Sequence, residues 1–374
     1  MKAISTGNIY RIYDDSLKSY DRLPAQAYTI RFNQMSGFYL EKHMGIEVGE
    51  CKIYGSHNKK VEKVLSSFEE FKRSLGVILS GEKGIGKSLF AKCLSIKAIE
   101  KGMPVLIVDS YMPGIASFIE SIEQEVLVLF DEFDKTFKEN EDDISPQATM
   151  LSLFDGISPG KKLFVITCNG LRRGLNEYIV NRPGRFHYHF RFGYPSATEI
   201  REYLQDKVKE EYWSEIDSVI IFASKVDLNY DCLRAISFEL NKGESFNDAL
   251  QDLNILNLKE EAYDLTIYFK DGKRLRNKNH HLDMFGSDDS EIEVSFNDAP
   301  RIHSQCIDVS FSPANIQYNT TAGVGVVFGE DLTITYDDEW LDDDGKELLN
   351  NIKSKEVSHM EIRKEACRNI RYAV

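Results

Sequence analysis

Between a short apolar run and a segment of helical periodicity lies Gly81-Glu82-Lys83-Gly84-Ile85-Gly86-Lys87-Ser88, an octapeptide of the form G-x-x-x-x-G-K-[ST]. Nothing else in the chain restricts its folding as tightly. Val77-Ile78-Leu79-Ser80 before it reads as a buried strand, and Leu89, Phe90, Cys93 and Leu94 after it recur at helical spacing. Strand, glycine-rich turn and helix in that order bring backbone N–H groups and a helix N-terminus to one point, which suits a triphosphate. On this reading Lys87 reaches the β and γ phosphates, Ser88 offers its hydroxyl to Mg2+, and Leu89 closes the binding loop.

The totals bound what surrounds this loop. At 374 residues the chain is long enough for two or three domains. A hydrophobic fraction of 42% and a charged fraction of 28% are those of a soluble globular protein rather than a disordered one. The net charge of -14 argues against a general nucleic-acid coat, because phosphate binding needs clustered Lys and Arg, although it leaves a local basic channel open. Cys51, Cys93, Cys168, Cys232, Cys306 and Cys367 form no C-x-x-C pairs, and several sit in apolar runs, as reduced core thiols would. No apolar run approaches the ~18 residues of a membrane span. The expectation is a soluble cytoplasmic protein without a membrane partner.

Read in order, residues 1–60 form a β-containing segment, with alternation at Tyr28-Thr29-Ile30-Arg31-Phe32 and a strand-like run at Gly37-Phe38-Tyr39-Leu40. Val61 to Lys72 is a helix. Val105-Leu106-Ile107-Val108-Asp109 is a continuous apolar strand, as in a parallel sheet covered on both faces, and Tyr111-Met112-Pro113-Gly114 interrupts it. Val126-Leu127-Val128-Leu129-Phe130 then delivers Asp131-Glu132 at a strand's C-terminal end, where ligands of open α/β sheets bind. Asp131 is placed to hold Mg2+ through its water shell, and Glu132 to polarise an attacking water. Lys162 to Asn169 is a further buried strand, and Asn169 either bridges the lytic water and the γ phosphate or opens a turn before Gly170. In Asn181-Arg182-Pro183-Gly184-Arg185-Phe186, Pro and Gly hold two arginines in a rigid turn. That turn suits either solvent or a neighbouring subunit's γ phosphate.

The order of these motifs resembles the AAA+ ATPases, and the RPGRF string resembles the second region of homology of the AAA clade. The resemblance spans roughly residues 60–250. It implies an α/β fold: a P-loop parallel sheet in the order 5-1-4-3-2, a helical lid, and a homo-oligomeric, hexameric ring with each ATP at a subunit interface. By matching position Asn169 resembles sensor 1, while Arg182 and Arg185 resemble paired arginine fingers. Compact proteins of this kind with β domains of their own are similar to ones found in phage genomes, which would place this chain in a host cytoplasm.

Ser196-Ala197-Thr198-Glu199 is a capping-box signature that opens a helix through Lys209. Further helical periodicity from Val219 to Leu240 supports a lid. In that lid Arg234 stands near a helix start, where several AAA+ groups carry a sensor 2 arginine; the AAA clade proper usually lacks it, and a solvent-facing role is the alternative. Beyond residue 260 the pattern alternates, with a hairpin signal at Asp271-Gly272. The expected organisation is an N-terminal β-containing segment 1–60, an α/β nucleotide-binding domain 61–195, a helical lid 196–255, and a mostly β C-terminal domain 256–374 ending in a helix. The acidic run Asp337 to Asp344 does not place ligands for calcium, since Trp340 holds its first position. His280-His281 in a basic loop has no ligand partner at metal spacing and reads as solvated.

ATP hydrolysis coupled to movement is the activity these residues imply. What is moved is open between a protein substrate, a nucleic-acid-linked switch such as a replication loader, and an assembly ATPase that uses ATP to order a ring. Residues 109–125 hold Asp109, Glu120, Glu123 and Glu125 and no Lys or Arg, which favours protein over nucleic acid. Tyr111, between a strand and a Pro-Gly break, is expected on a displayed loop where it can grip a polypeptide.

Overall fold

A computed structural model describes residues 2–6, 9–44, 46, 54, 57–138, 145–155, 159–169, 175–180, 182–255, 262–282, 284, 292–295, 307–338 and 343–364. Asn181, Trp340, three of the cysteines (Cys51, Cys306 and Cys367) and residues 365–372 of the expected terminal helix lie outside them. The chain divides into two units: Met1–Glu82 with Gly86–Phe192, and Lys83–Ile85 with Gly193–Val374.

The first unit begins with β1 (Lys2–Thr6) and β2 (Ile9–Tyr13), paired antiparallel, and the hairpin β3 (Ala27–Asn33) and β4 (Gly37–Lys42). Then come α1 (His57–Glu70), β5 (Leu75–Ser80), α2 (Lys87–Glu100), β6 (Val105–Val108), α3 (Ile115–Glu120), β7 (Val126–Phe130) and α4 (Phe133–Thr136). The unit ends with α5 (Pro146–Thr149), α6 (Leu151–Phe154), β8 (Lys162–Cys168), α7 (Glu177–Val180) and β9 (Phe186–Arg191). Seven strands form one sheet in the order β4-β3-β6-β7-β8-β5-β9. All neighbours pair in parallel except β3 with β4. Counted from the P-loop strand β5, the parallel strands β9, β5, β8, β7 and β6 stand in the order 5-1-4-3-2, and the hairpin extends the sheet beyond β6. The continuous apolar runs explain why: every residue of β5, β7 and β8 is buried, as a strand covered on both faces requires.

Burying β8 from its first residue encloses Lys162, whose Nζ donates to Gly160 O at 2.8 Å and to Ile122 O. Burial lowers this ammonium to about 8. β9, an alternating strand that the arginine turn delivers to the sheet edge, is an element the sequence reading did not isolate. His189 on it meets Ser80 Oγ through Nε2 at 2.7 Å.

The second unit holds the helices α8 (Ala197–Lys207), α9 (Ile216–Lys225), α10 (Tyr230–Leu240) and α11 (Phe246–Asp252). The expected capping box is present: Ser196 Oγ accepts from the Glu199 N–H at 3.3 Å, and the Ser196 N–H donates back to Glu199 Oε2 at 2.9 Å. Beyond these come β10 (Ala262–Phe269), β11 (Arg274–His281), β12 (Ile292–Ser295), β13 (Ile307–Phe311), β14 (Gln317–Asn319), β15 (Val324–Phe328), β16 (Thr333–Tyr336), α12 (Asp343–Lys353) and β17 (Val357–Lys364). They build a five-stranded sheet, β11-β10-β17-β15-β14, and a three-stranded one, β12-β13-β16. Among the described residues, the stretch from Gly345 is helical only as far as Lys353 and then runs into the strand β17. β17 alternates through buried Met360 and Ile362 and runs between β10 and β15, so it belongs to the core of this sheet.

Cys168 and Cys232 carry free thiols, whereas Cys93 on α2, in one of the apolar runs expected to hold reduced core thiols, is disulfide-bonded. No described helix is long and apolar enough to cross a membrane.

Candidate functional site

The parallel pairing of β5 with β8 runs through Ser80 and Cys168 and continues as a Gly81 N–H donating to Cys168 O at 3.2 Å. The loop after β5 therefore leaves the sheet beside the end of β8. Gly86 ends it at φ 95 and forms the N-cap of α2, a left-handed conformation that a side chain resists. Lys87 follows, on the first residue of the helix, only 7% exposed. Its Nζ donates to Gly81 O at 2.7 Å, to Asn169 Oδ1 at 3.1 Å and to Glu82 O. The ammonium has three protons, and all are used. Burial lowers its pKa, opposed by the nearby Cys168 thiol and the Asp134, Glu82 and Asp131 carboxylates. Ser88, next along, is exposed at the helix start.

At the end of β7 the carboxylates are held by β8. Thr167 Oγ1 donates to Asp131 Oδ1 at 2.6 Å and accepts from the Glu132 N–H at 2.8 Å. Glu132 sits at φ 47, ψ 47, a left-handed conformation that is strained for a residue with a Cβ. Two features hold it there: the Thr167 bond, and Phe133, fully buried and stacked on Phe137 with centroids 4.4 Å apart. The Glu132 carboxylate is exposed and ion-paired with Lys135.

Asp134 was missed by the sequence reading, which stopped at the acidic pair. Its Oδ2 accepts the Asn169 N–H at 3.1 Å, while its Oδ1 is buried with no hydrogen-bond partner. Asp134 thus ties the turn after β7 to the residue that bonds Lys87, and a polar residue one helical turn before buried Phe137 was the available signal. Burial, reinforced by Asp134, pushes the neighbouring Cys168 thiol up to about 12, so it stays protonated and serves as a core residue.

The two arginines of the turn differ. Arg182 is exposed, with its guanidinium 5.7 Å from the Tyr178 ring centroid. Arg185 is 8% exposed. Its Nη2 donates to Asp155 Oδ2 at 2.7 Å, its Nε to Asp155 Oδ1, and its Nη1 to Tyr178 O at 2.9 Å. Within this chain the planar guanidinium is gripped on two sides and braces the turn, while Arg182 is the exposed member of the pair.

Tyr111 departs from expectation. Its ring packs edge to face on Phe137 at 5.5 Å, partly buried against the apolar core of this unit, and is not displayed on its loop.

Of the remaining expected site residues, all but Leu89 belong to the second unit. Lys83, Gly84 and Ile85 form the loop's tip, where the Tyr230 N–H donates to Gly84 O at 2.9 Å and Asn229 Nδ2 to Lys83 O at 3.4 Å. Arg234 is exposed on α10 and lies 3.5 Å from Asp231 Oδ1. Leu89, on α2 in the first unit, is exposed at the helix start and adds no polar group.

Residues 77–194 match the AAA family, described as the ATPase family associated with various cellular activities. No curated protein matched the chain. The matched stretch runs from β5, before the P-loop, to just past β9, and so contains Lys87, Asp131, Glu132, Asn169 and the arginine turn. Residues 77–194 are an AAA+ ATPase domain, and the chain is an ATP hydrolase.

Proposed function

We propose that this ATPase couples Mg-ATP hydrolysis to the remodelling of a protein substrate or complex, working as a homo-oligomeric, hexameric ring with each nucleotide at a subunit interface. The observation that carries the ATP reading is the meeting of Lys87 with Asn169, and of Asp131 and Glu132 with Thr167, at the C-terminal ends of β5, β7 and β8. In this reading Lys87 exchanges its internal acceptors for phosphate oxygens, which frees the Asn169 amide to orient the attacking water. Glu132 polarises that water as general base. The exposed Ser88 hydroxyl and the Asp131 carboxylate, whose Oδ1 alone is taken by Thr167, are hard oxygen donors of the kind Mg2+ accepts. When bound, Mg2+ neutralises charge on the phosphates.

Arg182 is the proposed finger, since an exposed guanidinium on a turn braced from behind by Arg185 can serve a neighbouring site. Arg234 is proposed as the sensor of the γ phosphate from the lid. The division into 1–60, 61–195, 196–255 and 256–374 is proposed as functional, with movement of the lid transmitted to the C-terminal β domain. A cytoplasmic location, in a host cell if the chain is phage-encoded, is part of the same reading.

The test is Mg2+-dependent ATP turnover of the full chain at rising protein concentration, with Arg182→Ala mixed into a Lys87→Ala preparation. Turnover that rises with concentration, and partial recovery in the mixture, are the expected results. A monomer by light scattering in ATP, with a rate per chain independent of concentration, would overturn the ring.

A further inference from the structure

Tyr111 packs on Phe137, and beside its loop the β3–β4 hairpin displays apolar side chains that are far more exposed. The hairpin is fastened to the 109–118 segment by two contacts, and Gly114 passes close beside it. Arg31 Nη1 pairs with Asp109 Oδ2 at 2.8 Å, Phe38 stacks on Phe118 with centroids 5.1 Å apart, and a Cβ at Gly114 would touch the Phe38 ring at 3.4 Å. Phe32 continues the aromatic stripe, 4.9 Å from Phe38 and 48% exposed. At the turn beyond it Met35 is 95% exposed. Such residues are costly to leave in water at the end of an anchored hairpin.

Charge decides the partner. Residues 32–40, Phe-Asn-Gln-Met-Ser-Gly-Phe-Tyr-Leu, contain no charged side chain. The nearest cation, Arg31, is bound by both Asp109 and Glu41. The adjoining 109–125 segment carries carboxylates and no Lys or Arg. A phosphate backbone would find no counter-charge here. An extended polypeptide would find a flexible thioether and an aromatic face, which grip apolar side chains without reading their order. The sheet also ends at β4, and among the described residues no strand covers its outer edge, so the main chain of an extended segment has a ladder to join.

We propose that the tip of the β3–β4 hairpin, through Met35 and Phe32, is the contact for an extended, unfolded segment of a protein substrate. This rests on the remodelling reading of the ATPase, and two separate readouts keep the two apart. Binding of fluorescein-labelled unfolded casein to the full chain is followed by anisotropy in the non-hydrolysed analogue ATPγS, and ATP turnover is measured with and without casein. Met35→Asp and Phe32→Ser should each weaken casein binding by about tenfold, the effect of removing one anchor. Basal turnover should stay within about twofold of the parent, because neither side chain approaches the site at β5, β7 and β8. Met35→Leu, apolar and of similar volume, should bind as the parent does. Casein bound equally well by Met35→Asp and the parent overturns the proposal, as does binding or stimulation by a single-stranded oligonucleotide in place of casein. Absent basal turnover with casein binding that still depends on Met35 would sink the ATPase reading and leave the contact standing.

Discussion

Lys87 Nζ donates to Asn169 Oδ1 at 3.1 Å, and Asn169 is itself fixed by its N–H on Asp134 Oδ2 at 3.1 Å. The residue proposed for phosphate and the residue proposed for water are thus joined through one hydrogen bond. Under the proposed function, a phosphate that takes the place of Asn169 on Lys87 would couple nucleotide binding to the freeing of that amide. Lys87→Ala should lower ATP affinity by about tenfold to a hundredfold, the loss of charge-assisted bonds to phosphate, read by titration with a fluorescent ATP analogue. Asp134→Ala should leave that affinity within about threefold but cut kcat by tenfold or more, since it loosens Asn169 without touching the loop. Equal losses in affinity and kcat for Asp134→Ala would show that it merely supports the fold.

The two arginines of the turn should separate by stability. Arg185→Ala breaks a buried guanidinium away from Asp155; because Asp155 is partly exposed and can rehydrate, the cost should be about 1–3 kcal/mol by urea unfolding. Arg182→Ala, at an exposed position, should change stability by less than about 0.5 kcal/mol while reducing turnover. The reverse order would reassign the finger to Arg185.

Tyr111→Ala removes a ring that packs on Phe137 and should destabilise the chain by about 1–2 kcal/mol, with basal turnover falling as the fold loosens. Unchanged melting with lost substrate stimulation would restore Tyr111 as a displayed contact.

His189 gives a pH test. Burial, with Arg191 beside it, lowers its imidazole to about 4. The unfolded chain takes up that proton near pH 6.5, so between about 6.5 and about 4 the unfolded state binds more protons and stability falls as pH falls. His189→Gln, which still offers a polar partner to Ser80, should show a flatter decline of Tm across that window. Parallel declines in parent and variant would remove His189 from the account.

What the sequence made legible follows from where the constraint is local. The P-loop and the end of β7 are set by glycine geometry and by apolar runs that need cover on both faces, so their residues could be named from spacing alone. Asn169 ends a strand of the same kind. The packing of Arg185 and Tyr111 was not legible because each looks like a displayed side chain on a broken loop. Their true partners, Asp155 and Phe137, are 30 and 26 positions away and meet them only in the folded sheet. β17 was passed over because its alternation followed a charged helix, and nothing local says that it pairs between β10 and β15. Asp134 escaped for a related reason: its place before Phe137 marks a polar position, but its partner, the backbone N–H of Asn169, 35 positions away, leaves no mark in the sequence.

The most direct test of the central claim is Glu132→Gln, measured for both ATP binding and ATP turnover. Glutamine fills the same space at the strained turn after β7 but cannot act as a base, so affinity should stay within about twofold of the parent while turnover falls by about a hundredfold or more. ATP hydrolysis by Glu132→Gln at the parental rate would contradict the account.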